Sequence, residues 1–514
     1  MDLTLERGAS MFRGNYISGS FHPVSGSEKN GEWVLRSPAD TQDELGTVSF
    51  SYASVDEAVD SAKKAFKAWR KLPVTDRAAA LKRYQEQLKL RQEDLARQIS
   101  REVGKPLWES KTELAAMLNK IDITIQEGQK LVSDFELPNV MEGVLGACRY
   151  RPHGVMAVVG PFNFPGHLPN GHIVPALLAG NTIVFKPSEK TPGVAQLMTE
   201  AIDAAGFPSG VFNLVQGEKE VGRRLCVHPG VAGILFTGSY EVGTRLKQDT
   251  LLQHWKLLAL EMGGKNASIV HEDADLEVAV QETLLSAFLT TGQRCSATSR
   301  ILVHDSLLPR FLDRFHSRAK AFTIGHWSEQ SFMGPLIDAA SVDRYTKFLG
   351  IAAREGCELV MRGKAIETSR PGHYVAPSIA WVQNPSVEQT RKSVFQQSEL
   401  FAPCVAILGY RELEEAVAQA NETQFGLVAS VFTERREVYD RAREDLEVGL
   451  VNWNKSTVGA SSRLPFGGFK KSGNHFPTAL TASLYCAAPV SSLEVSSPKS
   501  PEAAAKAYPG LNWS

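Results

Sequence analysis

The sequence is poor in cysteine and has almost no excess charge. It holds 6 cysteines in 514 residues, and 56 Lys and Arg residues are offset by 57 Asp and Glu residues. No two cysteines form a CxxC pair, and a chain this long can build its core without disulfides, so we expect free thiols and a cytoplasmic location. The balanced charge gives no sign of a nucleic-acid partner or of a membrane surface.

Membrane spans, secretory signals and metal sites are not predicted either. The longest apolar stretch, 173–185, is too short to cross a bilayer and contains Pro175 and Gly180, which suits a buried core. Residues 1–7 lack the basic segment and apolar run of a secretory signal. His167 and His172 are five residues apart and do not share a helix face, so no metal ligands are predicted.

Alternating apolar runs and helical segments predict an α/β fold. A chain of 514 residues is too long for one core, so at least two domains are expected. Four short runs after Val155 end at turn residues and alternate with helical segments, which predicts a parallel, doubly wound sheet. These runs are 156–159, 182–185, 212–215 and 233–236. Runs 300–303 and 405–408 repeat the pattern and predict a second α/β domain.

Segments outside these runs are predicted to be helices and an arm. Apolar residues at helical spacing predict one long amphipathic helix over 81–99 and another over 114–125. The tail from Ser491 is rich in small and polar residues and is predicted to be an extended arm.

The candidate nucleophile is Cys295, in the segment 292–296. A thiol attacks only as its thiolate, and a free cysteine at pH 7 is only a few per cent ionised, so a base must accompany it. Glu261 precedes two glycines and could take the thiol proton, or activate the water that hydrolyses a thioester. In isolation, Cys295 would more often be a buried structural thiol and Glu261 a solvated surface residue.

Asn163 is the candidate for stabilising negative charge on oxygen. It follows a predicted strand directly, and ligands of α/β proteins sit at the carboxyl ends of parallel strands. Its amide could donate to a developing oxyanion, with the Cys295 backbone N–H as the second donor. The alternative is an Asx turn before proline.

Other strand ends carry signals for a nucleotide. The candidate residues are Lys186, Glu189, Gly217, Gly222, Gly238, Ser239 and Gly243. Lys186 and Glu189 can both reach a ribose, and the segment 238–243 opens a helix whose N-terminus favours a phosphate. That segment is not the common GxGxxG fingerprint. For 217–222, helix packing is the alternative.

Seven ordered segments resemble the aldehyde dehydrogenase family. They are GPFNFP (160–165), KPSE (186–189), GSYEVG (238–243), EMGG (261–264), GQRC (292–295), ELF (399–401) and PFGG (465–468). The resemblance implies two doubly wound parallel-sheet domains plus a small bridging domain that forms homodimers or homotetramers. The implied NAD-binding domain spans 1–130 and 151–263, and the implied catalytic domain spans 264–477. The implied bridging segments are 131–150 and 478–514.

The resemblance also implies roles for individual residues. Cys295 would be the nucleophile and Glu261 the general base, while Asn163 and the Cys295 N–H would form the oxyanion hole. The implied cofactor is NAD, with Glu399 on the nicotinamide ribose and Phe401 packed beside the nicotinamide. Lys186 and Glu189 would then hold the adenosine ribose.

Within the family, the likeness is to dehydrogenases of glutamate-type semialdehydes. Five stretches are similar to the members that act on N-succinylglutamate 5-semialdehyde in arginine catabolism: 117–121, 151–155, 162–181, 452–455 and 472–475. Residues 295–297 and the loop 458–461 are also similar to pyrroline-5-carboxylate dehydrogenase, which leaves the acyl group of the aldehyde open.

Small residues near the nucleophile predict a carboxylate on the substrate. The loop Gly459-Ala460-Ser461, together with Ser296, is predicted to hold the α-carboxylate, because small residues let backbone N–H groups approach an anion. Arg294 and Lys455 are candidates for the distal succinyl carboxylate, and each could equally be a solvated charge.

Two other classes of function stay open. A non-catalytic scaffold that binds NAD would be expected to lack Cys295 or Glu261, and both are present. A phosphorylating or CoA-acylating relative would pass the thioester to phosphate or CoA, and such relatives usually depart from the segment 261–264.

Overall fold

The structure is a computed structural model, and it describes residues 12–496. The N-terminal segment considered for a secretory signal and the part of the predicted arm from 497 onward lie outside the described residues.

The strands are numbered in chain order. They are β1 (Asn15–Ile17), β2 (Ser20–His22), β3 (Gly31–Ser37), β4 (Asp40–Phe50), β5 (Phe135–Met141), β6 (Val144–Pro152), β7 (Val155–Val159), β8 (Thr182–Lys186), β9 (Phe212–Leu214), β10 (Val231–Thr237), β11 (Leu257–Glu261), β12 (Asn266–Val270), β13 (Thr298–His304), β14 (Glu358–Met361), β15 (Ser378–Val382), β16 (Cys404–Tyr410), β17 (Phe425–Gly426), β18 (Val428–Phe432), β19 (Leu450–Trp453), β20 (Pro465–Phe466), β21 (Phe469–Lys470), β22 (Thr478–Ala479) and β23 (Ala487–Glu494).

The α-helices are numbered in the same way. They are α1 (Ala53–Trp69), α2 (Val74–Leu90), α3 (Gln92–Val103), α4 (Leu107–Gln126), α5 (His167–Ala179), α6 (Pro192–Ala204), α7 (Lys219–Val227), α8 (Tyr240–Asp249), α9 (Leu276–Phe288), α10 (Leu308–Lys320), α11 (Ala339–Arg354), α12 (Val387–Lys392), α13 (Val394–Gln397), α14 (Leu413–Asn421), α15 (Arg436–Asp445) and α16 (Ala482–Tyr485).

The first sheet has seven strands in the order β11-β10-β7-β8-β9-β1-β2. Strands β7 to β11 are parallel, and β1 joins β9 in the antiparallel sense. The predicted runs 156–159, 182–185, 212–215 and 233–236 fall on four of these parallel strands. The strand order reverses between β7 and β10, which creates a crevice at their carboxyl ends.

The second sheet also has seven strands, in the order β14-β15-β16-β13-β12-β18-β19. All of its pairs are parallel except the edge pair β14–β15. The runs 300–303 and 405–408 lie on the neighbouring strands β13 and β16. The prediction of an α/β fold with two doubly wound parallel-sheet domains is confirmed.

A third, smaller sheet consists of β23, β6 and β5, paired antiparallel. The segments 131–150 and 478–514, predicted to bridge subunits, contribute most of its described residues. The start of the second segment differs from that prediction, because β22 pairs with β20 and α16 joins the core of the first domain. The predicted arm from Ser491 begins inside β23, because this strand pairs with β6 through Glu494.

The helix predicted over 81–99 is wrong as a single helix, since α2 ends and α3 begins around Arg91. The Arg91 backbone has non-helical angles (φ −103°, ψ 11°), and its guanidinium donates to the Gln87 side chain at 2.6 Å. Leu88 and Leu95 on either side are both fully buried. The apolar pattern keeps its phase across the bend, so periodicity alone does not reveal the break. The helix predicted over 114–125 is confirmed as part of α4.

Candidate active site

The side chains predicted to be the nucleophile and the general base come from different domains. Glu261 is the last residue of β11 in the first sheet. Cys295 lies in the connection between α9 and β13 of the second domain. That connection turns sharply, because Thr290 and Thr291 both adopt positive φ (54° and 55°). The turn presents Cys295 toward the first domain, where Asn163 contacts the same segment.

Hydrogen bonds from the Asn266 side chain fix the backbone around Cys295. The Asn266 amide donates to the carbonyl oxygens of Cys295 (2.7 Å) and Ala297 (2.9 Å). Gly264 packs against the same segment, and a Cβ there would lie 2.5 Å from the Cys295 carbonyl oxygen. The second glycine of EMGG therefore allows the close approach of the two backbones.

The Cys295 thiol is neutral at rest. Burial raises its pKa, and the negative charges of Glu261 and Glu399 raise it further. A hydrogen bond from the Ser296 backbone N–H and the charge of Arg294 act in the opposite direction without reversing the shift. A base must therefore remove the thiol proton before or during attack on an electrophile.

Glu261 has the environment expected of such a base. It is fully buried, and neither of its carboxyl oxygens has a hydrogen-bond partner among the described residues. Burial raises its pKa well above the usual range. A buried carboxyl without partners is costly for stability and is typical of functional sites.

Asn163 is held beside the nucleophile segment by two hydrogen bonds. Its amide Nδ2 donates to the Gln293 carbonyl at 2.9 Å, which leaves its second N–H for another acceptor. The backbone carbonyl of Asn163 accepts from Lys105 Nζ at 2.9 Å. Lys105 also pairs with Glu113 at 2.6 Å, and Glu113 accepts from the backbone N–H of His167 at 3.0 Å. A buried ion pair thus fixes the loop that carries Asn163.

A cavity of about 270 Å³ opens at Cys295. Of the predicted residues, it brings together Asn163, Arg294, Cys295, Ser296 and the loop Gly459-Ala460-Ser461. Lining residues that sequence reasoning missed are Thr112, Glu113, Ala116, Lys120, Phe164, His167, Leu168, Gly171, Ser462, Phe466, Thr478 and Ala479. For one of these residues, Lys120, the sequence contained a signal that could have identified it. It is a charged residue between apolar positions of the amphipathic helix predicted over 114–125.

Arg294 reaches the cavity with its charge already compensated. Its Nη2 lies 2.6 Å from Glu109 Oε1, and its Nε donates to Thr290 Oγ1 at 2.8 Å. The guanidinium also lies over the Phe164 ring, 4.9 Å from its centre. These contacts hold Arg294 in the cavity wall.

Lys455 does not line the cavity, which corrects its prediction as a substrate contact. Its backbone carbonyl accepts from Ser430 Oγ at 2.7 Å. Its side chain is 73% exposed, with Nζ 3.9 Å from Glu282 Oε1. The charge of Lys455 therefore lies at the protein surface.

The residues predicted for the adenosine side lie at the carboxyl end of the first sheet. Lys186, the last residue of β8, is buried and lies 3.5 Å from Glu189 Oε2. Ser239 caps α8, since its Oγ accepts from the Val242 N–H at 3.3 Å. A buried ammonium, a carboxylate and a helix N-terminus at one sheet edge fit a nucleotide's hydroxyl and phosphate groups.

The four predicted glycines differ in how closely they pack at this edge. A Cβ on Gly243 would lie 2.5 Å from Met262 Sδ, and one on Gly238 would lie 2.5 Å from the Phe236 ring. Gly217 adopts φ +153°, and the Gly222 Cβ position lies 3.5 Å from Lys186 Cδ. A Cβ on Gly222 would thus make only an ordinary van der Waals contact, so close packing requires the glycine at 238 and 243 but not at 222.

Glu399 and Phe401 lie on the second domain, opposite these residues. Glu399 Oε1 accepts from the Gly264 N–H at 2.9 Å, and burial raises its pKa to about 7. A Cβ on Gly263 would overlap this carboxylate, at 1.9 Å from Oε2. The Phe401 ring packs edge-on against Phe162, with the ring centres 5.8 Å apart. This carboxylate and aromatic pair fit a ribose with an attached planar base.

The structure adds two findings on metals and membranes. Within residues 12–496, no three His, Cys, Asp or Glu side chains are grouped so that they could hold a metal ion. No helix in the same range has the length and apolar character needed to cross a membrane. All six cysteines fall in this range and are free thiols.

Comparison with known sequences identifies relatives along nearly the whole chain. The profile of the aldehyde dehydrogenase family matches residues 26–485. The N-succinylglutamate 5-semialdehyde dehydrogenase of Burkholderia multivorans is 41% identical over 495 residues, which are 94% of this chain and 99% of that protein. The Burkholderia mallei protein of the same name is 42% identical over 466 residues, 89% of this chain and 92% of its own.

Solved structures of similar fold come from several organisms. An NAD-dependent aldehyde dehydrogenase from Sinorhizobium meliloti has a TM-score of 0.89 at 27% identity, covering 95% of both chains. An NADP-dependent enzyme from E. coli has a TM-score of 0.88 at 30% identity, covering 94% of this chain and 98% of that one. A Thermus thermophilus 1-pyrroline-5-carboxylate dehydrogenase variant has a TM-score of 0.86 at 29% identity, covering 94% and 93%.

Proposed function

Because the chain belongs to the aldehyde dehydrogenase family, we propose that it oxidises N-succinylglutamate 5-semialdehyde to the carboxylate in arginine catabolism. Cys295 serves as the nucleophile and NAD as the cofactor. The relatives of that name match at 41% and 42% identity over most of the chain. The observation that carries the chemistry is the cavity at Cys295, which Asn163 and the small-residue loop also line.

The first step joins the aldehyde to the enzyme. Glu261 takes the thiol proton, and Cys295 Sγ forms a bond to the aldehyde carbon. The carbonyl oxygen gains negative charge as its π bond breaks. The free N–H of Asn163 and the Cys295 backbone N–H stabilise that charge, because preorganised donors act most strongly in a site from which water is excluded.

Oxidation and hydrolysis follow. Glu399, Lys186 and Glu189 would hold a nicotinamide cofactor, which would supply a hydride acceptor for the two-electron oxidation of the adduct on Cys295 to a thioester. After passing the thiol proton to solvent, Glu261 removes a proton from water, whose oxygen attacks the thioester carbonyl. The C–S bond breaks, and the carboxylate and the free thiol are released.

The charges around Glu189 favour NAD over NADP. Its carboxylate is suited to accept from a ribose 2′-hydroxyl and would repel a 2′-phosphate. The neighbouring Lys190 pairs with Asp338 at 3.0 Å, so its charge is already compensated by another carboxylate. A higher kcat/KM with NADP than with NAD would refute this assignment.

We also propose that the enzyme is a cytoplasmic homodimer or homotetramer that associates through the third sheet. Every residue of β5 is exposed, including Phe135 and Leu137, and Leu493 on β23 is also exposed. Such an apolar surface favours contact with another chain. The mass in solution, measured by light scattering, tests the association, and a stable monomer would contradict it.

A second candidate substrate is the unsuccinylated glutamate 5-semialdehyde. The likeness of the Thermus thermophilus enzyme and the loop 458–461 favour it. Initial rates with succinylated and unsuccinylated semialdehyde decide between the two substrates. A lower kcat/KM for the succinylated compound would overturn the first proposal. Adding CoA to the assay separates hydrolysis from acyl transfer, and acyl-CoA as the main product would refute the role of water.

A further inference from the structure

Lys120 is a buried cation in the cavity wall to which the proposed chemistry gives no role. It lies on α4 with 2% exposure and lines the cavity. Its ammonium donates to the Ala479 carbonyl, which uses one of its three donors. Within residues 12–496, no carboxylate forms an ion pair with it.

The other cations near the cavity are neutralised. Arg294 pairs with Glu109, and Lys105 pairs with Glu113, each at 2.6 Å. Burying a charge is costly unless a counter-ion accompanies it. Among the described residues of the cavity wall, Lys120 therefore contributes a positive charge that no carboxylate compensates. An anionic ligand would compensate it.

The position of Lys120 along α4 separates it from the nucleophile. Thr112, Ala116 and Lys120 are spaced by four residues and line the cavity together, as expected for one helix face. Arg294, next to the nucleophile, contacts α4 at Glu109. Lys120 lies eight residues beyond Thr112, about 12 Å further along the helix axis.

We propose that Lys120 binds the terminal carboxylate of the substrate's succinyl group and so determines the preference for the succinylated aldehyde. The inference rests on the proposed function and deepens it. In an extended substrate this carboxyl carbon lies roughly 10 Å from the aldehyde carbon, and the α-carboxyl carbon about 5 Å away, at about 1.2 Å per bond. The longer distance suits Lys120, and the shorter one suits the loop 459–461.

His167 supplies a second polar group in the same wall. Its Nδ1 is buried and has no hydrogen-bond partner among the described residues. Burial lowers the pKa of the imidazole to about 4, so the ring is neutral at pH 7. A neutral imidazole donates from one nitrogen, which gives the carboxylate a hydrogen bond beside the ammonium.

Kinetics of Lys120→Met test the proposal. Removing the charge should raise KM for N-succinylglutamate 5-semialdehyde about 10- to 100-fold, the scale of a lost hydrogen bond to a charged group. The kcat for this aldehyde, and KM for glutamate 5-semialdehyde and propanal, should change little. Lys120→Arg should retain part of the affinity for the succinylated aldehyde. The matched control is Lys111→Met, an exposed lysine of the same helix, which should behave like wild type.

The outcomes separate this inference from the proposed function. If wild type does not prefer the succinylated aldehyde, the proposed substrate is wrong, and so is the proposed role of Lys120. If wild type has the preference and Lys120→Met keeps it, only the role of Lys120 is wrong. Equal losses of Lys120→Met on all three aldehydes would mean that Lys120 only supports the wall through Ala479.

A measurement on wild type covers the case in which Lys120→Met does not fold. Acetylation of Lys120 by acetic anhydride, followed by mass spectrometry, should slow at least several-fold when N-succinylglutamate is bound, with Lys111 unaffected. Equal labelling with and without this product, or no labelling of Lys120 at all, would overturn the proposal.

Discussion

Arg294 and Glu109 form a buried ion pair directly beside the nucleophile. The two groups lie 2.6 Å apart, with side-chain exposures of 14% and 1%. Glu109 also accepts from the Thr290 N–H at 3.3 Å, so one carboxylate holds both the arginine and the strained turn before Cys295.

Glu109→Ala should therefore lower the free energy of unfolding by about 3–5 kcal/mol, because it leaves a partly buried guanidinium without its counter-ion. Chemical denaturation monitored by fluorescence measures the change. Glu93→Ala, which removes an exposed partner of Lys111, is the control and should change stability by less than about 1 kcal/mol. A similarly small loss for Glu109→Ala would contradict a structural role for the pair.

Cys295→Ala should abolish dehydrogenase activity and leave NAD binding largely intact. The thiol forms the covalent bond to the substrate, whereas the residues proposed for the cofactor lie on other elements. Cofactor titration by fluorescence and steady-state assays measure the two properties. Cys357→Ala, outside the cavity lining, is the control. Turnover of Cys295→Ala near the wild-type rate would exclude this nucleophile.

Glu261→Gln should block a later step than Cys295→Ala does. If the thiolate can form without Glu261, a rapid-mixing experiment should show a burst of NADH followed by a stall. Steady-state turnover should fall about 10²–10⁴-fold, the usual range for a general base. Unchanged turnover would remove Glu261 from the mechanism.

The pH dependence should differ between the succinylated aldehyde and propanal. The raised pKa values of Cys295 and Glu261 mean that their reactive, deprotonated forms increase as pH rises. The kcat/KM for propanal should therefore climb above neutral pH.

Lys120 should add a falling limb for the succinylated aldehyde. Burial lowers its pKa to about 8, partly opposed by the nearby Cys486, and the charge of Lys120 in turn acts on the imidazoles of His167 and His172. The protonated form binds a carboxylate, so affinity should be lost as pH rises through about 8. Lys120→Met should lose this limb, and a wild-type profile without it would contradict the prediction.

A bulky residue at Ala460 should raise KM for the semialdehydes far more than for propanal. The loop that contains Ala460 lines the cavity, and a larger side chain would keep an α-carboxylate from the loop's backbone N–H groups. Ala460→Leu, assayed on both kinds of aldehyde, tests this. Equal damage to both would mean that the loop supports the fold and does not bind the carboxylate.

Local sequence was sufficient to predict six parallel strands of the two large sheets, β7 to β10 in the first and β13 and β16 in the second. Buried parallel strands are short apolar runs bounded by turn residues, and this pattern is local. The motif residues Cys295, Glu261 and Asn163 could be named for the same reason, since each lies at a strand end or turn with a distinctive neighbourhood. The bend at Arg91 was not predicted, because the spacing of apolar residues continues unchanged from α2 into α3.

Which charges face the cavity was decided only by the tertiary structure. The sequence by itself offered Arg294 and Lys455 as equal candidates and passed over Lys120. Folding pairs Arg294 with a carboxylate 185 positions away, turns Lys455 outward, and brings Lys120 against a carbonyl 359 positions away. The sequence gives the charge of a side chain, but whether that charge can bind a ligand depends on its burial and on the nearest opposite charge. Both are set by contacts between segments that are distant in the sequence, so local patterns cannot predict them.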